Sequence, residues 1–491
     1  MLQTFLIGIY TACLLYMTFF CLVQLNLLKS YRSHRKHKKL LPSADRLDPN
    51  LPKVTIQLPI FNEMYVVNRL IDQIVKLDYP KDKMQIQILD DSTDDSYFLA
   101  KQKAEEYKAL GFDIEHRHRA NRQGYKAGAL KEGMESATGE FIAIFDADFL
   151  PEPDFLLKAI PYFENKNTAV VQSRWTHLNE DYSLLTKLQA FQLNVHFTVE
   201  QAGRCEAGHF LQFNGTAGIW RKLAIEDAGG WHSDTLTEDL DLSYRAQLKG
   251  WKIKYVEDIV CPAELPVDIY GYKSQQFRWM KGGAENSKKL LPIILKSDLP
   301  LKIKFYSCLH LLSSSIFLVI FWVALLSVPV LYIMDDLELK ATFLGFCLLG
   351  TLSMMSIFYE ANVVTCHQDE SKWNRIKRFA LMFPTFMAVS MGLSFHNSIA
   401  VIQGFMGKKS SFVRTPKFSI VHQKESFTDK SYFSSKWDWK LMMECLILCY
   451  FGFAIGLGFQ IDYFAFMMFH IMLMVGFGIN FIYSLRHLNF K

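Results

Sequence analysis

The sequence predicts a mixed architecture, in which an α/β domain with a parallel sheet is inserted among apolar helices of membrane-spanning length. Three observations carry this. Half of the 491 residues are hydrophobic and 21% are charged, which is rich for a soluble chain and lean for a pure membrane bundle. Three stretches, KVTIQLPIFNE, MQIQILDDSTDDS and FIAIFDADF, read as strands that end in polar or acidic residues, and the first two run on into helix signals. Strands alternating with helices imply a parallel sheet, and such sheets bind ligands beyond the carboxyl ends of their strands. Apolar runs flank this region on both sides. The net charge of +5 is mild for this length, so no nucleic-acid partner is expected. The nine cysteines are scattered, most of them inside apolar runs, and form neither a disulfide framework nor a zinc pattern.

In chain order, residues 2–28 are nearly all apolar, longer than the roughly 20 residues that span a bilayer, and read as a retained transmembrane helix (residues 1–28). KSYRSHRKHKK follows, with six Lys or Arg in eleven positions. Such flanks stay cytoplasmic, so residues 29–52 form a basic cytoplasmic linker and residues 53–290 a cytoplasmic domain.

Within that domain, Asp146 and Asp148 follow the strand FIAIF. Residues i and i+2 of a strand face the same side, so the two are expected to aim their carboxylates at one point. Paired carboxylates suit a hard divalent cation such as Mg²⁺ or Mn²⁺, which keeps other positions for water and phosphate. A lone Asp-x-Asp is more often a solvated turn. Asn62 with Glu63, and Asp90 with Asp91, end the other two strands; taken singly, such an Asp pair is more often a helix cap. In HRHRANRQGYKAGALKEGM, Lys126 sits between Gly124 and Gly128, where a cation and close backbone approach can serve a diphosphate. Thr237, Glu238 and Asp239 open a helix, and a carboxylate there is either a cap or a base. QQFRW supplies Gln275, the planar fork of Arg278 for phosphate oxygens, and the flat indole of Trp279 for a sugar ring.

PIFNE, LDDSTDD, GYKAGAL, FDADF, FNGTAG, TED and QxxRW, in that order over roughly 230 residues, resemble the processive family 2 glycosyltransferases, the cellulose synthase and hyaluronan synthase group. GYKAGALKEGM, FNGTAGIWR and DAGGW are most similar to the cellulose-synthase-like glucomannan and glucan synthases. The resemblance implies a GT-A fold inserted into a transmembrane bundle and an inverting transfer from a nucleotide-diphosphate sugar. It assigns Asn62, Glu63, Asp90 and Asp91 to the base and ribose, and Lys126 and Arg278 to the diphosphate. Asp146 and Asp148 would hold Mg²⁺ or Mn²⁺. Asp239 would be the general base within Thr237–Glu238–Asp239. Trp279 and Gln275, with Phe213, Asn214, Gly215, Thr216 and Ala217, would meet the acceptor. Its partners would be UDP-glucose or GDP-mannose, a growing glycan chain and the lipid bilayer.

Residues 291–491 hold further apolar segments near 305–333, 341–365, 440–458 and 463–485, read as spans. The loops CHQDESKWNRIKR and GKKSSFVRTPK are both basic and both predicted cytoplasmic. The 379–405 segment between them is therefore expected to lie in the interface, which puts the C-terminus inside beside Arg486 and Lys491. Residues 407–420 form a loop in which Phe412, Val413, Arg414, Thr415, Pro416 and Lys417 resemble a gating loop; a basic juxtamembrane linker is the alternative. The location expected is a bacterial inner membrane. A non-processive transferase acting on a lipid, and a transporter or inactive scaffold on the same fold, are the rival functions. The intact acidic motifs argue against the scaffold.

Overall fold

Seven strands form one sheet: β1 (Val54–Ile60), β2 (Met84–Asp90), β3 (Asp113–His118), β4 (Phe141–Ile144), β5 (Thr168–His177), β6 (Gly218–Arg221) and β7 (Lys252–Ala263). Their order is β3-β2-β1-β4-β6-β5-β7. The computed structural model describes every residue except 38–40, 338–344, 423, 434–436 and 489–491. The last lysines of the basic run, the start of the 341–365 segment and Lys491 lie outside the described residues.

β1 and β2 are buried along almost their whole length, as strands covered on both faces must be. They pair in parallel with Ile56 opposite Ile86, and Gln57 donates to Gln87 at 3.0 Å across them. β3 and β4 extend this parallel half on either side. The sheet as a whole is not parallel, which corrects the sequence expectation. β6 runs antiparallel to both β4 and β5, with Trp220 opposite Ile142 and Val170. The chain enters β6 from a turn in which Gly215 and Ala217 adopt positive φ (80° and 53°), and this reverses its direction.

One apolar layer packs Leu70, Ile71, Ile74 and Ala100 against Ile56 and Ile86. The other joins Leu130, Ile142, Phe191 and Trp220 to Leu27, Tyr31, Phe358 and Phe386 of the helical region, so the two regions share one core. Contact is close: a Cβ on Gly203 would lie 2.5 Å from the Leu27 carbonyl.

Among the described residues five helices are long and apolar enough to cross a membrane: Leu2–Lys36, Leu301–Asp336, Cys347–Thr365, Trp439–Gln460 and Met467–Arg486. Lys372–Gly392 and Ser394–Met406 form a pair bent by 49°. The helix thus begins seven residues before the expected 379, and it breaks at Leu393 between Gly392 and Ser394 rather than at Pro384, which lies inside it. Glycines tighten the packing here, since a Cβ on Gly392 would lie 2.4 Å from the Gly476 backbone. The amphipathic helix Ile269–Lys296 joins sheet and bundle, its Lys273 ammonium held by Glu444 at 2.7 Å and Ser484 at 2.9 Å.

Candidate active site

The carboxyl ends of β2, β1 and β4 open on a cavity of about 200 Å³. Helix Glu238–Leu248, helix Ile269–Lys296 and the stretch 412–417 close it, and its walls carry Glu63, Asp91, Lys126, Asp146, Asp148, Asn214, Gly215, Thr237, Glu238, Asp239, Gln275, Arg278 and Trp279. Seven sequence motifs thus meet in one space.

Asp146 and Asp148 stand beyond the end of β4, in a turn closed by the Phe149 amide donating to the Asp146 carbonyl at 3.0 Å. Strand alternation therefore does not aim them, and they meet different cations. Lys126, in the first turn of helix Tyr125–Ser136, donates to the Asp146 carboxylate and to the Gly215 carbonyl at 3.0 Å. Burial opposes its charge, yet Asp146, Glu238 and Asp239 hold its ammonium above the ordinary range. Asp148 accepts from Lys417 at 2.7 Å and from the Glu264 amide at 3.2 Å. Two hard oxygen ligands, each balanced by a lysine ammonium, fit a divalent cation that draws its other ligands from water and phosphate. Among the described residues the one three-residue metal-like group is His232, Asp234 and Asp241. It is an ion-pair knot, with Asp241 held by Arg245 at 2.8 Å and Lys289 at 2.7 Å.

At the far end, Asp91 makes a two-pronged pair with Arg119, both contacts 2.6 Å. Asp90 faces away from the cavity, fully buried and held by His116 at 2.8 Å and the Ser92 amide at 2.7 Å. Asn62 is tied to the Thr93 amide at 2.8 Å and does not line the cavity either. Of Phe213–Ala217, Asn214 and Gly215 line it. Phe213 is core, and the Thr216 hydroxyl accepts from the Asp146 amide at 2.8 Å. Asp90, Asn62 and Thr216 are thus claimed by neighbouring groups of the protein, whereas Phe213 and Ala217 are packed in the core, and Ala217 does not line the cavity either.

Glu238 and Asp239 lack an ion pair within 4 Å among the described residues. Burial raises both carboxyls, and the charge of Glu238 helps push Asp239 up to about 7. Thr237 is not a side-chain cap; its hydroxyl accepts from Asn286 at 2.9 Å, while Asp239 accepts from the Leu240 amide at 2.8 Å. Arg278, its pKa pushed down to about 10 by burial, donates to Thr415 at 2.7 Å and stacks 4.5 Å above Phe412.

The stretch Phe412–Lys417 forms part of the cavity wall. Arg414 reaches Glu63 at 2.7 Å, yet burial still pushes that carboxyl up to about 8. Phe412, Arg414, Thr415 and Lys417 line the cavity; Val413 faces a neighbouring one and Pro416 neither. Sequence reasoning missed Arg122, whose guanidinium lies 3.4 Å from the Phe61 ring, and also Glu264, Trp175 and His177. Arg122 carried a signal, since it sits in the basic run before Lys126.

Residues 52–282 match the family described as glycosyltransferase like family 2. The chain is 45% identical over 261 residues to "Probable glucomannan 4-beta-mannosyltransferase 7" of Oryza sativa subsp. japonica, covering 52% of this chain and 45% of that one. It is 42% identical over 273 residues to "Glucomannan 4-beta-mannosyltransferase 2" of Arabidopsis thaliana, covering 55% and 51%. The chain thus spans about half the length of the curated relatives it matches. Among solved structures it is similar to a mannosyltransferase from Pyrobaculum calidifontis in complex with GDP-Man and Mn2+, at 20% identity and a TM-score of 0.54, covering 82% of this chain and all of that one. Residues 52–282 are therefore a family 2 glycosyltransferase-like domain on a GT-A-like mixed sheet.

Proposed function

We propose that this chain is a membrane-embedded inverting hexosyltransferase that extends a β-linked polysaccharide, a β-1,4-mannan or glucomannan, and passes it out through its own helices. The observation that carries this is the meeting of two chemistries in one cavity: acids with cations suited to a metal-bound diphosphate, and Asp239, whose carboxyl is pushed up to about 7 and so is in part a free base near neutrality. Asp239 takes the proton of an acceptor hydroxyl as that oxygen bonds to the anomeric carbon. The bond from that carbon to the diphosphate breaks, and Lys126 and Arg278 stabilise the charge that leaves. A divalent cation on Asp146 and Asp148 would neutralise the same diphosphate. Trp279 lies under the acceptor ring.

The mannosyl names of the relatives and the GDP-Man and Mn2+ in the archaeal neighbour favour GDP-mannose over UDP-glucose as donor. Five apolar helices among the described residues support an integral membrane protein, and the basic run after the first of them supports a cytoplasmic sheet domain. The two relatives described are plant proteins, so a bacterial inner membrane draws no support from them. Thr415 on Arg278, and Lys417 on Asp148, support Phe412–Lys417 as a loop that answers to the donor.

Purified protein incubated with Mn²⁺ or Mg²⁺ and either nucleotide sugar should lengthen a β-1,4-oligosaccharide, and Asp148→Ala should not. Lipid-linked product alone would replace this reading with the single-transfer one. Cysteines placed at 369 and 410 should label from the same side; opposite sides would restore a sixth span.

A further inference from the structure

Residues 372–378, KWNRIKR, hold four cations and no acid. The sequence places this run in a cytoplasmic loop; the structure winds it into the first two turns of helix Lys372–Gly392. Trp373, Lys377 and Leu381 recur at i, i+4 and i+8 and so share one side of that helix. Trp373 is 63% exposed and Leu381 65%, and the Lys377 ammonium stands 5.5 Å from the centre of the Trp373 ring. An open stripe of indole, ammonium and leucine suits a bilayer surface, where aromatic rings lie at headgroup level and lysines reach the phosphates.

Beside this stripe lies a cavity of about 200 Å³, walled by the same helix, by helix Leu184–Val195 and by the π-turn Glu360–Thr365. Its lining is divided. Phe191, Phe379 and Met382 are apolar, with the two rings 6.0 Å apart, whereas Lys187, Arg375 and Arg378 are cationic. The acids of the wall are already engaged: Glu180 meets His367 at 2.9 Å, and Asp181 meets Lys187 at 3.4 Å. Arg378 is held by Glu370. Arg375 differs from it. One of its nitrogens donates to the Val363 carbonyl of the π-turn, but among the described residues no carboxylate lies within 4 Å of its guanidinium, nor of Lys372 or Lys377. Leu381 both lines the cavity and stands open on the outer stripe, so the two adjoin.

We propose that this cavity takes the phosphate of an anionic phospholipid, with Arg375 as its counter-ion, Lys372 and Lys377 at the rim, and Phe191, Phe379 and Met382 against the glycerol and first acyl carbons. Basic pockets among helices on the cytoplasmic side of a membrane bind such headgroups. A zwitterionic headgroup brings its own cation and gains less. Occupied, the site ties helix Lys372–Gly392 to the stretch after β5, the strand whose His177 lines the catalytic cavity. The proposal rests on the membrane reading above, because it sets residues 366–378 at the cytoplasmic bilayer surface.

The test uses the full chain in a neutral detergent and native mass spectrometry, with phosphatidylglycerol, phosphatidylcholine and, as a soluble phosphate ester, glycerol phosphate as probes. Phosphatidylglycerol should bind more tightly than phosphatidylcholine. Arg375→Gln should weaken phosphatidylglycerol about fivefold, the scale of one cation at a membrane surface, and leave phosphatidylcholine unchanged. Arg375→Lys, which keeps the charge, should stay within about twofold of wild type. Lys372→Gln combined with Lys377→Gln, both on exposed side chains, should weaken the lipid at least as much, and decides alone if Arg375→Gln fails to fold. Lys302→Gln, at the exposed start of helix Leu301–Leu311 and outside the cavity lining, should change nothing. Equal affinity for the two lipids, cavity variants that bind as wild type, a Lys302→Gln loss as large as theirs, or glycerol phosphate displacing the lipid at equal concentration would overturn the site. Protein that stays dissolved without detergent would instead overturn the membrane reading.

Discussion

On the side of the cavity proposed for the donor the carboxylates meet cations, and on the side proposed for the acceptor they do not. Asp91 has Arg119, Asp146 has Lys126, Asp148 has Lys417 and Glu63 has Arg414. Glu238 and Asp239 have each other, and the Asn214 amide nitrogen has no protein partner among the described residues. Pairing alone does not decide which acid keeps a proton: Glu63, though paired with Arg414, is pushed up to about 8 by burial, and Asp239, with no ion pair, up to about 7. The first arrangement suits a diphosphate and a metal, the second a proton transfer and a neutral sugar.

The sharpest way to break this comparison is Asp239→Asn, which keeps the acceptor for the Leu240 amide and removes the base. The rate of transfer should fall roughly 10² to 10⁴-fold with nucleotide affinity unchanged; a variant that elongates normally would return Asp239 to a structural role. On the matched side the expected damage is to stability. Arg119→Ala leaves Asp91 buried without its partner, and breaking a buried pair costs about 3–5 kcal/mol, read as a lower melting temperature in detergent. Asp90, by contrast, should tolerate Asn with little change in nucleotide affinity, because it faces His116 and not the cavity.

The acceptor side also predicts a pH profile. Asp239 acts as a base only when deprotonated, and its pKa near 7 means that the rate should rise with pH through that value, about tenfold per unit below it. A flat profile between pH 5.5 and 7 would separate Asp239 from the proton transfer. The smallest effect expected is at Trp279→Ala, which should shorten the product while donor binding holds, as product sizing would show.

Much of the donor side was legible because its signals are local. An apolar run ending in acids marks β1, β2 and β4, and a glycine before Lys126 marks a helix start. β3 was not legible: DIEHRH is a largely polar edge strand, mostly open to solvent, so it lacks apolar alternation. β6 is four residues long and follows directly on the FNGTAG motif, with which it shares only Gly218.

The sequence by itself determined that acid-tipped strands face one edge, that TED and QxxRW follow them, and that apolar helices stand on both sides. These depend on periodicity and chemistry within a dozen residues. Only the tertiary structure decided which of Asp90 and Asp91 faces the cavity, that β6 runs backwards, and that Lys417 reaches Asp148 from 269 residues away. It also decided the proton on Asp239. Ion pairing and burial depend on what the rest of the chain brings alongside, and a carboxyl's neighbours in space are not its neighbours in sequence.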